Sequence, residues 1–419
     1  MIPYLIMAIL YLFMAFLTAI DMSAIGFQIL PWFNGMVWLR VHFITLGTLT
    51  QVIFAVMPAL VAIHYRLPRP KFRWEIWLLL NIGILTLLMG IPPVNHTLIF
   101  FGGTLIFVAS ILLIRQLSQM RPQDQPQKET EQGHSGRKFY SAGMGYFLLG
   151  IIVGTGLWLG WSETLLISGA PKEVHIHANN FGLMSLVFAG LIVDLYPVWA
   201  KRPLANPKSV TPIFWMMTLG AFGLIFGPWF DSGYLTVPGL LLHLAATIWL
   251  LFNVIKPLGR DRQAWTLGLM HIVLSYFWLL APILMAPLVL FEVAIIPAST
   301  IEGYAPQALI YGWLLQFGFA VMPYFFMRLF LPGEPARLGG TRFSLLAVNL
   351  GSAFLWAGIF IEPIRATLYA TGYLLWALAM LPILADLWRI TRSGINRLEA
   401  DEESPATVGE TELRTSLVK

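Results

Sequence analysis

One apolar block is written twice in this chain in the same register, with a looser copy between the two. From His42 it reads HFITLGTLTQVIFAVMP, and from Gln307 it reads QALIYGWLLQFGFAVMP. Both blocks carry a Gly five positions on (Gly47, Gly312), a Gln nine positions on (Gln51, Gln316) and the closing run FAVMP. The middle copy starts at His177, reads HANNFGLMSLVFAG, and keeps the Gly (Gly182) without the Gln. The starting points lie 135 and then 130 residues apart. Such a period holds about four membrane helices of roughly 20 residues with their connections. The pattern predicts an all-α polytopic membrane protein, with twelve transmembrane helices in three pseudo-repeats of four.

Composition makes the bilayer the solvent. The chain is 58% hydrophobic and 11% charged, with a mean hydropathy of +0.73, too apolar to hide its surface in a water-soluble core. Twelve stretches long enough to span are expected between residues 3 and 388, the tenth beginning at 306. They group as 1–115 (first unit), 138–256 (second) and 264–392 (third). Residues 116–137, rich in Gln and Pro, read as a flexible linker, and 393–419 as a disordered tail, both in the cytoplasm. His134 falls in that linker as a solvated residue.

Charge placement supports an even number of crossings. Of 26 Lys and Arg, 23 fall in alternate connections, leaving Arg40, Lys172 and Arg365 on the other side. The positive-inside rule then puts both termini in the cytoplasm and the protein in the inner membrane. These cations are topological anchors, so the net charge of +5 gives no argument for nucleic acid. The N-terminus has no basic region and no small-residue cleavage site, and reads as a retained helix. With no Cys, disulfides, iron–sulfur clusters and thiolate-held haem are excluded.

Ionisable groups inside a bilayer cost several kcal/mol unless paired or ligated, so each invites a reason. His42, His175 and His177 are expected near the outer ends of the second and sixth helices, and His96 begins the fourth. His64 is expected at the cytoplasmic end of the second helix as an interfacial residue. His243 and His271 are expected near mid-membrane, where they either face one another or make interhelical hydrogen bonds. Imidazole ligates both haem iron and copper. On a helix, His175 and His177 point about 200° apart, so they share a metal only where the chain is unwound. Arg40 and Arg365 suit either a carboxylate such as a haem propionate or an interfacial role. Asp194 and Glu362 are either members of a proton path or pairing partners. The 16 Trp, many at helix ends such as Trp32, Trp38 and Trp158, fit an interfacial belt.

This arrangement resembles subunit I of the haem–copper oxidases over roughly residues 1–390, most specifically at the second, sixth and tenth helices. The resemblance implies that His42 holds a haem, that His177 is a copper ligand, and that the tenth helix supplies further His. Here Pro306-Gln307-Ala308 stands at that point, and the seventh helix lacks the family's paired His. A three-His copper site cannot be assembled, which excludes oxygen reduction. By size and sparse His the chain is also similar to NnrS-type membrane proteins of nitric oxide metabolism, without their Phe-Arg-Pro-Phe-Phe stretch. The resemblance implies haem or copper binding in electron transfer or nitric-oxide-related metabolism, with a redox partner or other respiratory-complex subunits. In that reading His42 and Gln307 lie at the haem, Arg40 and Arg365 hold propionates, and His175, His177, His243 and His271 are candidate second ligands or a metal site. The alternative is a cofactor-free transporter or accessory subunit, with Asp194, Gln51, Gln316 and the buried His lining a polar path.

Overall fold

The computed structural model describes residues 1–27, 37–65, 67–68, 70–120, 136–291, 293 and 297–403. His134, Trp32, most of the expected linker and the tail beyond 403 lie outside the described residues. The chain folds as α1 (Ile2–Gly26), α2 (Val37–His64), α3 (Trp74–Gly90), α4 (His96–Gln119), α5 (Arg137–Leu159), α6 (Pro171–Ala200), α7 (Pro207–Trp229), α8 (Gly233–Leu258), α9 (Leu267–Leu290), α10 (Ala298–Phe330), α11 (Arg342–Phe360) and α12 (Arg365–Glu403). No strand occurs among the described residues. Eleven of these elements are long and apolar enough to cross a membrane, and α3 is a shorter apolar helix. The protein is an all-helical, polytopic membrane protein.

Its outer surface confirms the solvent. On α3 the stripe Leu78, Ile82, Leu85 and Met89 is exposed, while Ile76, Leu80, Ile84 and Leu87 are buried on the opposite face. Both faces are apolar, as a helix between lipid and protein requires.

Burial sorts the helices into two layers. In the most apolar stretches of α2, α6 and α10, 89%, 78% and 100% of residues are enclosed, against 33–56% for the other candidate spans. These three helices therefore form the centre. Around them α3 packs on α4, α7 on α8, and α11 on α12, while α1 lies against α12. Phe188 of α6 stacks on Phe317 of α10 with centroids 3.9 Å apart and planes 10° from parallel.

The three inner helices share a local device. Each passes through a widened π-helical turn: Phe43–Leu49, Ala178–Met184 and Leu309–Leu315. Within each turn lies the glycine noted in the sequence, and the side chain of the preceding helix fills the space where its Cβ would stand. A Cβ at Gly47 would lie 2.6 Å from Tyr11, one at Gly182 2.5 Å from Tyr146, and one at Gly312 2.6 Å from Trp278. The helices meet at backbone distance because no side chain intervenes.

Polar anchors collect at one end of the bundle. Arg73 pairs with Glu75 at the start of α3, Arg202 after α6 with Asp261 after α8, and Arg397 near the end of α12 with Glu334 after α10. Hydrogen bonding to Arg202 holds the Asp261 carboxyl below the usual carboxylate range. At the same end Arg137 donates to the Tyr65 hydroxyl, tying the start of α5 to the end of α2.

Two boundaries differ from the sequence expectation. α10 begins at Ala298 rather than 306, with Ile301 and Ala305 buried in the added turns. Residues 393–403, expected in a disordered tail, continue α12, because Gly394 packs on Phe330 and Arg397 pairs with Glu334.

The close contacts are testable. Gly47→Ala and Gly312→Ala should each destabilise the protein by about 1–3 kcal/mol through overpacking. Gly145→Ala, at a position with no atom near its would-be Cβ, should be neutral or slightly stabilising. Thermal midpoints in one detergent compare the three directly.

Candidate functional site

A cavity of about 500 Å³ opens among α2, α4, α5, α6 and α10, at the bundle end opposite the ion pairs. That volume lies within the roughly 300–1,000 Å³ typical of cofactor and small-molecule sites. Its wall is mostly apolar, and its polar members include His42, His175, Asn179 and Gln307. Helical spacing explains the set. Gly303, Pro306, Gln307 and Ile310 form one face of α10, and Lys172, His175, Ile176 and Asn179 one face of α6.

The two wall histidines are held alike. His42 Nδ1 lies 2.9 Å from the Trp38 carbonyl oxygen, and His175 Nδ1 lies 2.8 Å from that of Gly150. A carbonyl only accepts, so each Nδ1 is the donor and, in the neutral ring, each Nε2 carries the free lone pair. A backbone acceptor on one nitrogen is the usual way a ligating imidazole is oriented. Trp38 fixes His42 further, its ring stacked 4.4 Å away at 16°. On α5, Gly154 makes room for the His175 ring, and a Cβ there would overlap it. The two imidazoles lie 6.2 Å apart by centroid, with planes 20° from parallel.

The other expected site residues go elsewhere. His177 Nδ1 bonds the Leu224 carbonyl of α7 at 2.6 Å, and His177 is not on the cavity wall. Residues 171–177 are regular helix, so His175 and His177 diverge and cannot share a metal. His243 and His271 do not face each other as a pair. His243 Nε2 lies 3.0 Å from Ser185 Oγ and His271 Nε2 lies 3.1 Å from Ser344 Oγ, in different interhelical contacts. Of His175, His177, His243 and His271, expected as second ligands or a metal site, His175 lies on the cavity wall and the other three are hydrogen-bonded elsewhere. Among the described residues no three His, Cys, Asp or Glu side chains are grouped to hold a metal ion.

The arginines separate too. Arg365 donates to the Gly358 carbonyl at 3.0 Å, near the C-terminal end of α11, and is absent from the cavity wall. Arg40, also off the wall, is buried and lies 5.3 Å over the Tyr373 ring. Lys172 is the basic residue on the wall among those described. Asp194 caps α5, its carboxylate accepting from the Gly136 amide at 2.7 Å and the Tyr140 hydroxyl at 2.9 Å. Gln51 donates to Asn81 at 2.7 Å. Gln51, Gln316 and Asp194 are all absent from the cavity wall, so they form no common path with it.

Sequence reasoning missed Trp38, Asn179, Lys172 and Tyr373. The first three carry a signal, lying three or four residues from a wall histidine on the same helical face. Tyr373 comes from α12 and has no such mark. No protein-family model and no curated protein matches this chain. The class defined by fold and site is a polytopic membrane protein with a two-histidine cavity near one end of its core.

Asp194→Ala should lower the thermal midpoint through a lost helix cap, costing roughly 1–2 kcal/mol, and leave ligand binding in the cavity intact. Denaturation and binding measured on the same preparation would distinguish this from a role in the cavity.

Proposed function

We propose that the cavity binds haem, whose iron His42 and His175 would hold, in a twelve-span inner-membrane protein made of three four-helix units. In this reading α3 is the twelfth span and both termini face the cytoplasm. The recurrence of a π-turn and a glycine–aromatic contact in α2, α6 and α10 supports the three-unit reading. The alternation of basic connections supports the orientation.

The observation that carries the haem reading is the pair of imidazoles on one cavity wall, 6.2 Å apart by centroid and each anchored by a backbone carbonyl. Each ring has its Nδ1 committed to a backbone carbonyl and its Nε2 left to ligate. The apolar wall suits a macrocycle, and Gly154 of α5 clears space for His175. A bound haem supplies one-electron transfer, and two imidazole ligands favour that over binding of a further small molecule at iron. The protein's contribution is to fix both rings and keep water out. A copper centre of three imidazoles has no comparable support, because His177, His243 and His271 are hydrogen-bonded elsewhere. The expected propionate roles of Arg40 and Arg365 also lose support, since neither lies on the wall.

Purified protein supplied with ferric protoporphyrin IX should show a low-spin Soret band with stoichiometric binding. His42→Ala and His175→Ala should each abolish the low-spin spectrum, while His177→Ala should retain it. A colourless wild-type preparation after reconstitution would favour the cofactor-free transporter or accessory reading. Equal spectra in all three variants would remove the assignment of the ligands.

A further inference from the structure

Beside the histidine pair, the cavity wall carries one amide whose direction is set from outside the cavity. Gln307 is 4% exposed and belongs to the wall. The Tyr373 hydroxyl donates to its Oε1 at 3.2 Å, and the Arg40 guanidinium lies 5.3 Å over the Tyr373 ring. A phenol has one proton, which here goes to Gln307, so the amide oxygen is the acceptor. The amide NH2 is left as the group that Gln307 offers to the cavity. Reversing the amide would set its NH2 against the phenol proton, so Tyr373 holds it in place. The cation over the ring polarises the phenol and strengthens this donor.

We infer that Gln307 is a specificity-determining donor that selects a ligand carrying an oxygen acceptor beside its apolar body, and that Tyr373 is its positioning residue. This rests on the haem reading above, and there the acceptor is a carboxylate at the edge of the macrocycle. In a site that water leaves, a directed donor discriminates strongly, because an alkyl-only ligand strands the amide without a partner.

The test compares two iron porphyrins on the full-length protein in detergent: ferric protoporphyrin IX, with two carboxylates, and ferric octaethylporphyrin, with only alkyl substituents. Wild type should bind the first about tenfold or more tightly over the second, the value expected for one good charge-assisted hydrogen bond. Gln307→Leu should reduce that ratio to within about threefold while keeping the low-spin spectrum. Tyr373→Phe keeps the ring over which Arg40 lies but loses the hydroxyl, and should also reduce the ratio. Gln307→Glu should reverse it, since an anion then faces the carboxylate. A merely structural role for these residues would weaken both porphyrins alike and leave the ratio unchanged. An unchanged ratio in Gln307→Leu and Tyr373→Phe, with the Soret band intact, overturns this inference and leaves the haem reading standing. Absence of any low-spin band in wild type overturns both.

Discussion

The contact on which the architecture depends is that between a glycine backbone and an aromatic ring, made three times. Gly47, Gly182 and Gly312 each lie in the π-turn of an inner helix, and Tyr11, Tyr146 and Trp278 occupy the space their side chains would take. In a bilayer there is little hydrophobic gain from pressing helices together, because lipid is as apolar as leucine. Close backbone approach and van der Waals contact must do the work instead. The three contacts draw α1, α5 and α9 onto α2, α6 and α10, and the paired outer helices then complete the ring. Thr45, Asn179 and Ile310 belong to these π-turns and line the cavity, so the widened segments form part of its wall.

The cavity follows from what the inner helices do at one end. There α2, α6 and α10 are lined by histidine, asparagine and glutamine on one side and by alkyl groups elsewhere. Three polar groups on this wall, His42, His175 and Gln307, each have one atom bonded to the protein. Backbone carbonyls set His42 and His175, while the Tyr373 hydroxyl sets Gln307. Orientation comes from the surroundings rather than from the ligand, so the wall is preorganised.

Much of the fold was legible because hydropathy and glycine spacing are local signals. The repeated block gave His42 and Gln307 a common register, and both line the same cavity. The register also favoured His177, and there it misled. His175 and His177 are two positions apart on one helix, so they look toward different neighbours, α5 and α7. Which neighbour stands beside the cavity is a property of ring order, which no single segment encodes. The same reason hid Tyr373. The early start of α10 was missed because Ser299, Thr300, Glu302 and Gly303 lower its apolar signal, although packing rather than hydropathy holds those turns. Residues 393–403 looked like a tail by composition, and a glycine contact with Phe330 and one ion pair keep them helical.

The enclosure of the apolar stretch of α10 has a consequence for how the protein is made. Of the eleven long apolar helices α10 has the lowest hydropathy, 1.4, and that stretch is wholly surrounded by protein. It carries the buried Gln307 and Gln316, groups that a helix alone in lipid would have to expose. Such a segment partitions poorly by itself, and its partners α11 and α12 emerge from the ribosome only afterwards. Biogenesis must therefore shelter α10 at the insertion machinery, or beside α2 and α6, until the chain that encloses it has been synthesised.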